Sequence, residues 1–234
     1  MDTSFPRGGV ALLDGERLVL QSPFEGAEGH VSLLPRTLDR LLAEAGWELK
    51  RLDRIGVTLG PGSFSGVRIA LGVAKGISLA CGVPVAGFST LEVVAGAAPE
   101  SEWVAAILDA RRGEVYAALY EHVHGQASQL RMAPGVWDPA EWVAELARWQ
   151  ARSGEPVGLT GDGLGVYRSL FQPLLAAGRC HLVESAFWPL DVVRLGRMTA
   201  GRPADSLGPV AALEPLYVRR ADAKEPSGGG SIAS

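Results

Sequence analysis

Cysteine is scarce in this sequence: Cys81 and Cys180 are the two among 234 residues. A disulfide-stapled secreted domain uses more of them, so a reducing, cytoplasmic compartment is expected. Excess charge of either sign is also lacking. A formal net charge of -4 sets up no field that gathers phosphate backbones, so contact with nucleic acid must be local or delegated to a partner. Uninterrupted apolar runs are missing as well. The N-terminus has no basic stretch followed by an apolar one, and the apolar segment from Val67 to Ala98 is broken by Arg68, Lys75 and Glu92. Neither a signal peptide nor a membrane span is expected. Histidine is sparse, and the His-Glu-x-x-His spacing of a zinc site does not occur. His30 stands alone before a helical pattern, and His122 with His124 reads as a solvated strand edge. No metal is expected.

Apolar residues are plentiful. At 47% apolar and 21% charged, the chain has the composition of a soluble domain with a sizeable core, and disorder is expected only at its ends. Residues 10–13 and 17–20 predict a hairpin, because Asp14-Gly15 supplies the positive φ angles of a tight turn. Leu34, Leu38, Leu41, Leu42 and Ala45 recur at spacings of three and four, which predicts a helix over 31–45 ended by Gly46. Residues 55–59 predict a strand, 60–66 a glycine-rich turn, and 67–80 a helix stopped by Gly82 and Pro84. A strand over 83–87 and a helix over 90–98 follow, the latter opened by Ser89 and Glu92 at capping-box spacing.

The second half begins in the same way. Strands over 104–108 and 115–120 flank Asp109 to Gly113, then come a helix over 139–151, a strand over 157–160, and helices over 167–177 and 190–200. A pattern begun twice predicts an α/β fold of two related subdomains, 1–99 and 100–205. A C-terminal segment over 206–220 and a disordered tail over 221–234 complete the expectation, since Pro226 to Ser231 cannot bury enough apolar surface to order itself.

The most informative stretch is Gly60-Pro61-Gly62-Ser63-Phe64-Ser65-Gly66, followed by Arg68. Such a turn at a helix N-terminus can cradle an anion. Its spacing satisfies neither common phosphate loop: Walker A requires lysine where Val67 stands, and the dinucleotide fingerprint has one residue fewer between its last two glycines. A structural turn, an anion loop and a partner-contact loop all remain open. The helix after it carries Gly66, Ala70, Ala74 and Ser78 four apart, with Gly72 and Gly76 beside them. Each helical glycine costs about 1 kcal/mol relative to alanine, so something offsets that cost. Close packing within the chain and a helix interface between chains use the same physics and both stay open. Ser63 and Ser65 have no identifiable base, which gives nucleophilic hydrolysis little support. Asp109, Arg111, Arg112 and Glu114 at one turn, and Asp162 within Gly161-Asp162-Gly163, are solvated loop charges or polar contacts at the mouth of an interdomain cleft.

At these residues the sequence resembles the bacterial TsaB family, also called YeaZ. The resemblance rests on Asp2-Thr3-Ser4, on His30 leading into Ser32-Leu33-Leu34-Pro35, and on Gly60 to Ile69 with Ala74-Lys75-Gly76. It continues through Pro84 to Leu91, Leu108 to Tyr116, and Pro215 to Arg219, in the family's order across nearly the whole chain. It implies an actin-like, ribonuclease-H-like fold of the ASKHA superfamily, degenerate as an ATPase. It further implies a non-catalytic subunit of the tRNA threonylcarbamoyladenosine synthesis complex, pairing with the catalytic paralogue TsaD and recruiting the ATPase TsaE. ATP or ADP then enters through that partner ATPase, tRNA is contacted only indirectly, and the chain forms a homodimer when alone. The family's pairing bundle maps onto the helices after His30 and Gly66, so Leu34, Leu38, Leu41, Leu42, Gly66, Ala70, Ala74 and Ser78 are the expected partner-binding residues. TsaD-like enzymes hold a metal with paired histidines, and His30 alone occupies that region here, so metal and catalytic roles are not carried over. The family begins with a hydrophobic strand before its Asp-Thr-Ser, whereas Met1 directly precedes Asp2. That departure implies a start lying upstream, or a shortened chain. Two other readings are an ATP-dependent phosphotransferase relying on Asp2 and Asp162, and a metallopeptidase whose ligands are not found.

Overall fold

The computed structural model describes residues 1–25, 30–96, 98, 101–122, 128–183 and 191–218. The expectations for His124, for the boundary at Pro99 and for the tail over 221–234 lie outside the described residues. Strands β1 (Arg7–Asp14) and β2 (Arg17–Glu25) form the antiparallel hairpin around Gly15, with Asp14 opposite Arg17. Helix α1 (His30–Ala45) follows, and its Leu34, Leu38, Leu41 and Leu42 are buried because they form one apolar stripe laid on the hairpin. Strand β3 (Ile55–Thr58), helix α2 (Phe64–Cys81) and strand β4 (Val85–Phe88) make a parallel crossover unit. Ser63 caps α2 by accepting the Gly66 N–H, and Gly82 ends it in the left-handed region. Helix α3 (Thr90–Ala95) is shorter than the sequence predicts, closing at Gly96.

In the second half, β5 (Trp103–Arg111), β6 (Glu114–Glu121) and β7 (Gln129–Trp137) run antiparallel, while β8 (Val157–Thr160) and β9 (Cys180–Leu182) add in parallel, giving the order β7-β6-β5-β8-β9. Central β5 is buried on both faces through residues 104–108, as a strand covered by helices on each side must be. Helix α4 (Pro139–Ser153) starts at the Asp138 cap and drives Trp142 and Leu146 into this core. Helix α5 (Gly163–Ala176) begins earlier than expected, because Tyr167 is a kink with non-helical angles that masks the first turn in the periodicity. Strands β7 and β9 were not expected. β7 is an edge strand interrupted by Pro134 and Gly135, and β9 has three residues, so neither shows a clean alternation.

Helix α6 (Val192–Gly201) corrects the expected division of the chain at 100–205. It returns to the first half and packs on β1 and β3, with Leu195 and Thr199 buried. The physical reason is the shape of Gly56, where a side chain would overlap the Thr199 hydroxyl, so that α6 lies directly against the strand. The C-terminal segment also packs on the first half: Leu216 N–H donates to Leu59 O at 2.6 Å.

The first half does not form one continuous sheet. β1 pairs with β2 and β3 with β4, as two separate two-stranded sheets. Between them runs a groove of about 560 Å³, lined by residues 10–15, residues 51–56 and parts of α1, α2 and α6. Met1 also lines it. Asp2 exchanges two backbone hydrogen bonds with Gly9, and the Met1 α-amine donates to Gly56 O at 2.9 Å.

Burial holds that amine at about 6, down from 8.0, while the Asp2 carboxylate pulls it the other way. The folded chain therefore takes up this proton later than the unfolded chain as pH falls, so stability is full above pH 8 and is lost between 8 and 6. About 2 to 3 kcal/mol should disappear across that window. Urea unfolding at intervals from pH 8.5 to 5.5, with an NMR titration placing the Met1 amine midpoint near 6, checks this; a flat profile with an ordinary amine midpoint refutes it.

Candidate functional site

Asp2, Thr3 and Ser4 are buried, and they organise the glycine-rich turn. Asp2 Oδ1 accepts from the Ser4 N–H at 3.0 Å, from the Ser4 hydroxyl at 2.6 Å and from the Thr58 hydroxyl. Thr3 Oγ1 donates to Gly66 O at 2.6 Å, and the Ser63 N–H donates to Ser4 O at 2.7 Å. At Gly66 a Cβ would overlap Thr3 O, and at Gly62 it would crowd Ser4 O. Two of the glycines are thus explained by main chain lying against main chain. Two of the donors at this helix end are in use, the Gly66 N–H going to Ser63 Oγ and the Val67 N–H to Ser63 O. Of the three readings left open, a structural turn is the one this hydrogen bonding supports. Gly60 sits under Leu216 O with φ of +102°, and its carbonyl accepts the Thr90 N–H.

Arg68, on the second turn of α2, lies outside the junction. Its guanidinium stands 3.8 Å from the centroid of the Phe64 ring, and its Nε donates to Tyr217 Oη at 2.8 Å. Phe64 and Tyr217 lie 5.4 Å apart, so the three side chains form one exposed cluster binding the C-terminal segment to α2. Ser65 is exposed beside it.

The expected partner-binding residues require correction. Leu34, Leu38, Leu41 and Leu42 of α1 are buried against the chain's own hairpin and α2, as are Gly66, Ala70 and Ala74 against β3 and the Thr3 backbone. Ser78 is half-buried. The reason is that an apolar helical stripe covers whichever sheet is nearest, and here that sheet is internal. The opposite face of α2 is the open one: Ser65, Arg68, Gly72, Gly76 and Leu79 are exposed, Leu79 at 81%, and no atom stands within 4 Å of where a side chain would begin at Gly72 or Gly76. Among the described residues α2 is the one helix long and apolar enough to cross a membrane, yet 28% of it is buried in the chain, through the face that packs on β3.

The cleft residues are brought together at the tip of β5. Asp162 Oδ1 accepts the Asp109 N–H at 2.9 Å, Asp109 Oδ1 accepts the Arg111 N–H at 2.9 Å, and Arg111 pairs with Asp109 Oδ2 at 3.3 Å. Arg111 and Arg112 adopt positive φ angles of 63° and 58°, which the Asp109 carboxylate stabilises as part of the turn. Burial raises the Asp162 carboxyl, a shift partly opposed by the bond from the Asp109 N–H. These groups bond chiefly to one another. Asp2 Oδ1 is likewise taken up by Ser4 and Thr58, while Asp2 Oδ2 is buried without a hydrogen-bond partner among the described residues. Among the described residues no group of three His, Cys, Asp or Glu is placed to hold a metal. The His30 side chain lies outside the description.

Comparison with known proteins adds the family. A family described as "TsaD: tRNA N6-adenosine threonylcarbamoyltransferase" matches residues 21–154. The chain is 35% identical to tRNA threonylcarbamoyladenosine biosynthesis protein TsaB of Escherichia coli over 51% of its own length and 57% of that protein's. It is 27% identical to the Bacillus subtilis protein of the same name over 75% of each chain. The matches thus span from about half to three quarters of these curated relatives. The solved structure of YeaZ from Pseudomonas aeruginosa superposes with a TM-score of 0.73 at 28% identity, covering 92% of this chain and 96% of that one. The actin-like, α/β architecture is therefore shown.

The glycine junction makes a paired prediction. Gly66→Ala should destabilise the chain by about 1 to 3 kcal/mol through overpacking against Thr3, whereas Gly72→Ala, in open space, should stabilise it by up to about 1 kcal/mol. Chemical unfolding of both variants checks it, and equal effects would refute the assignment of the two faces.

Proposed function

The chain belongs to the TsaB (YeaZ) family, and from that premise we propose that it is a cytoplasmic, non-catalytic scaffold in the threonylcarbamoyl modification of the adenosine next to the tRNA anticodon. In this role it pairs with a TsaD-like catalytic paralogue and supports recruitment of a TsaE-like ATPase, through which ATP or ADP enters the assembly. Its contact with tRNA is indirect, in keeping with a net charge of -4. Without the paralogue it pairs with itself through the same surface.

The observation that carries this reading is the outward face of α2. Glycine in a helix is costly, and an 81% exposed leucine beside two uncovered glycines has no role in the stability of the chain alone. A shallow strip of Ser65, Gly72 and Gly76 lets a second helix approach to near main-chain contact, and Leu79 supplies apolar area at its end. Asp162 and Asp109 are held in internal hydrogen bonds at the tip of β5, which favours a scaffold over a phosphotransferase.

Gly76→Arg and Leu79→Asp should each weaken pairing with the catalytic paralogue by at least about tenfold, the scale of losing a well-packed interface contact. Their melting temperatures should stay close to that of the unsubstituted chain. Light scattering of the mixed chains, with calorimetric titration, supplies the affinities. Ala74→Trp is a poor probe, because Ala74 is fully buried and the variant disrupts the core first. Unchanged affinity in both surface variants, or modification activity from the isolated chain, would remove the proposal.

A further inference from the structure

Helix α3 meets α6 at both of its ends, and the two ends differ in charge. At its first turn Glu92 Oε1 faces Arg202 Nη2 at 3.4 Å, and the Arg202 guanidinium lies 4.4 Å from the centroid of the Phe88 ring. At its far end two basic side chains share the seam. Arg194 of α6 runs across Gly96, where a side chain would begin 3.1 Å from its Cδ and 3.6 Å from its Nη1. His122, one residue past β6, comes to the same place from the second half, near enough to sense the Arg194 charge. Its Nδ1 stands 3.0 Å from Ala98 O, which also accepts the Ser101 N–H at 3.1 Å. A carbonyl only accepts, so Nδ1 carries the ring proton and Nε2 is left as a bare lone pair. That Nε2 is buried without a hydrogen-bond partner among the described residues, and so is Arg194 Nε.

We propose that this end of α3 is a proton-operated catch: a proton taken up at His122 Nε2 sets a second positive charge beside Arg194, and α6 loosens from α3 where the two halves exchange helices. The surroundings favour the neutral ring. Burial holds the imidazole below its ordinary value of 6.5, against the pull of the Ala98 and Ser101 backbones, and Arg194 acts in the same direction as burial. Burial lowers Arg194 as well, with Asp191 opposing and Arg197 adding. The remaining charges around the seam are engaged elsewhere. Asp191 accepts the Val193 N–H at 2.9 Å as the cap of α6, Arg197 donates to Glu16 O at 3.2 Å, and Glu92 keeps to Arg202. On β5 Glu102 gives its carbonyl to the His122 N–H at 2.7 Å and has an exposed side chain, while Tyr120 of β6 is buried beside Glu92. Among the described residues no carboxylate bonds to His122 or Arg194. The folded chain thus binds this proton less readily than the unfolded one, so the catch is closed above pH 6.5 and lets go as pH falls below it. This inference concerns the seam and does not rest on the proposed partner.

The test measures amide exchange, corrected for intrinsic rate, at about pH 7.5 and about pH 5.5 in the full chain and in His122→Asn, whose amide N–H can still donate to Ala98 O but does not titrate. In the unsubstituted chain Leu195 to Met198 of α6 should lose at least about threefold more protection on acidification than Val157 to Thr160 of β8, and His122→Asn should abolish that excess. The Met1 amine and Glu92 titrate in both chains, so the difference between them belongs to His122. Arg194→Gln should raise the His122 midpoint in an NMR titration and shrink the excess. No excess in the unsubstituted chain, an equal excess in His122→Asn, or a His122 midpoint at or above 6.5 overturns the proposal. Should His122→Asn fail to fold, the comparison with Arg194→Gln decides: a raised midpoint with a smaller excess supports the catch, and an unmoved midpoint overturns it.

Discussion

Everything in the first half is arranged around one buried carboxylate. Asp2 Oδ1 gathers the Ser4 N–H, the Ser4 hydroxyl and the Thr58 hydroxyl, and this bends the chain so that Thr3 and Ser4 lie against the start of α2. These three donors replace water at one oxygen of the buried carboxylate, while Oδ2 has no hydrogen-bond partner among the described residues. The bend brings Thr3 Oγ1 to Gly66 O and Ser4 O to the Ser63 N–H. From that point β3, the glycine-rich turn and α2 cannot shift independently. The turn is a joint between two stretches of main chain, and its glycines make the approach possible.

The same joint decides which way α2 faces. With Gly66 pressed on Thr3, the residues one and two turns later, Ala70 and Ala74, must point inward to β3, and Gly72, Gly76 and Leu79 must point outward. A helix carrying small residues on both sides thereby acquires one side for its own sheet and one for another helix. Arg68, stacked on Phe64 and bonded to Tyr217, fastens the C-terminal segment alongside that outer side, so the far end of the chain becomes part of the same surface.

The two halves share a strand plan but are not independent bodies. Helix α6 and the segment through Leu216 come from late in the sequence and cover the first half, while α3 packs on β5 and β6 of the second. Such exchange gives each half part of its core from the other, and it accounts for the burial of Leu195 and Leu91 alike. The Asp109 turn holds the tip of β5 to the start of α5, where the first half has Asp2, so the repeat extends to the local chemistry of a carboxylate closing a turn.

Short-range signals made much of this readable from the residues alone. The Asp14-Gly15 turn, the leucine period of α1, the strand, turn and helix around Gly60 to Gly66, and the double start of the pattern follow from dihedral preference and periodicity, which are properties of neighbours in sequence. The family was legible in the same stretches. What the residues could not decide was direction: Leu34, Ala70 and Ala74 have the composition of either a core or an interface, and only the position of β3 and the hairpin makes them core. Nor could they place α6 on the first half, or reveal that β1 and β3 belong to two separate sheets. Those are facts of contact between residues far apart in sequence, set by which surfaces meet when the chain closes, and no local pattern encodes them.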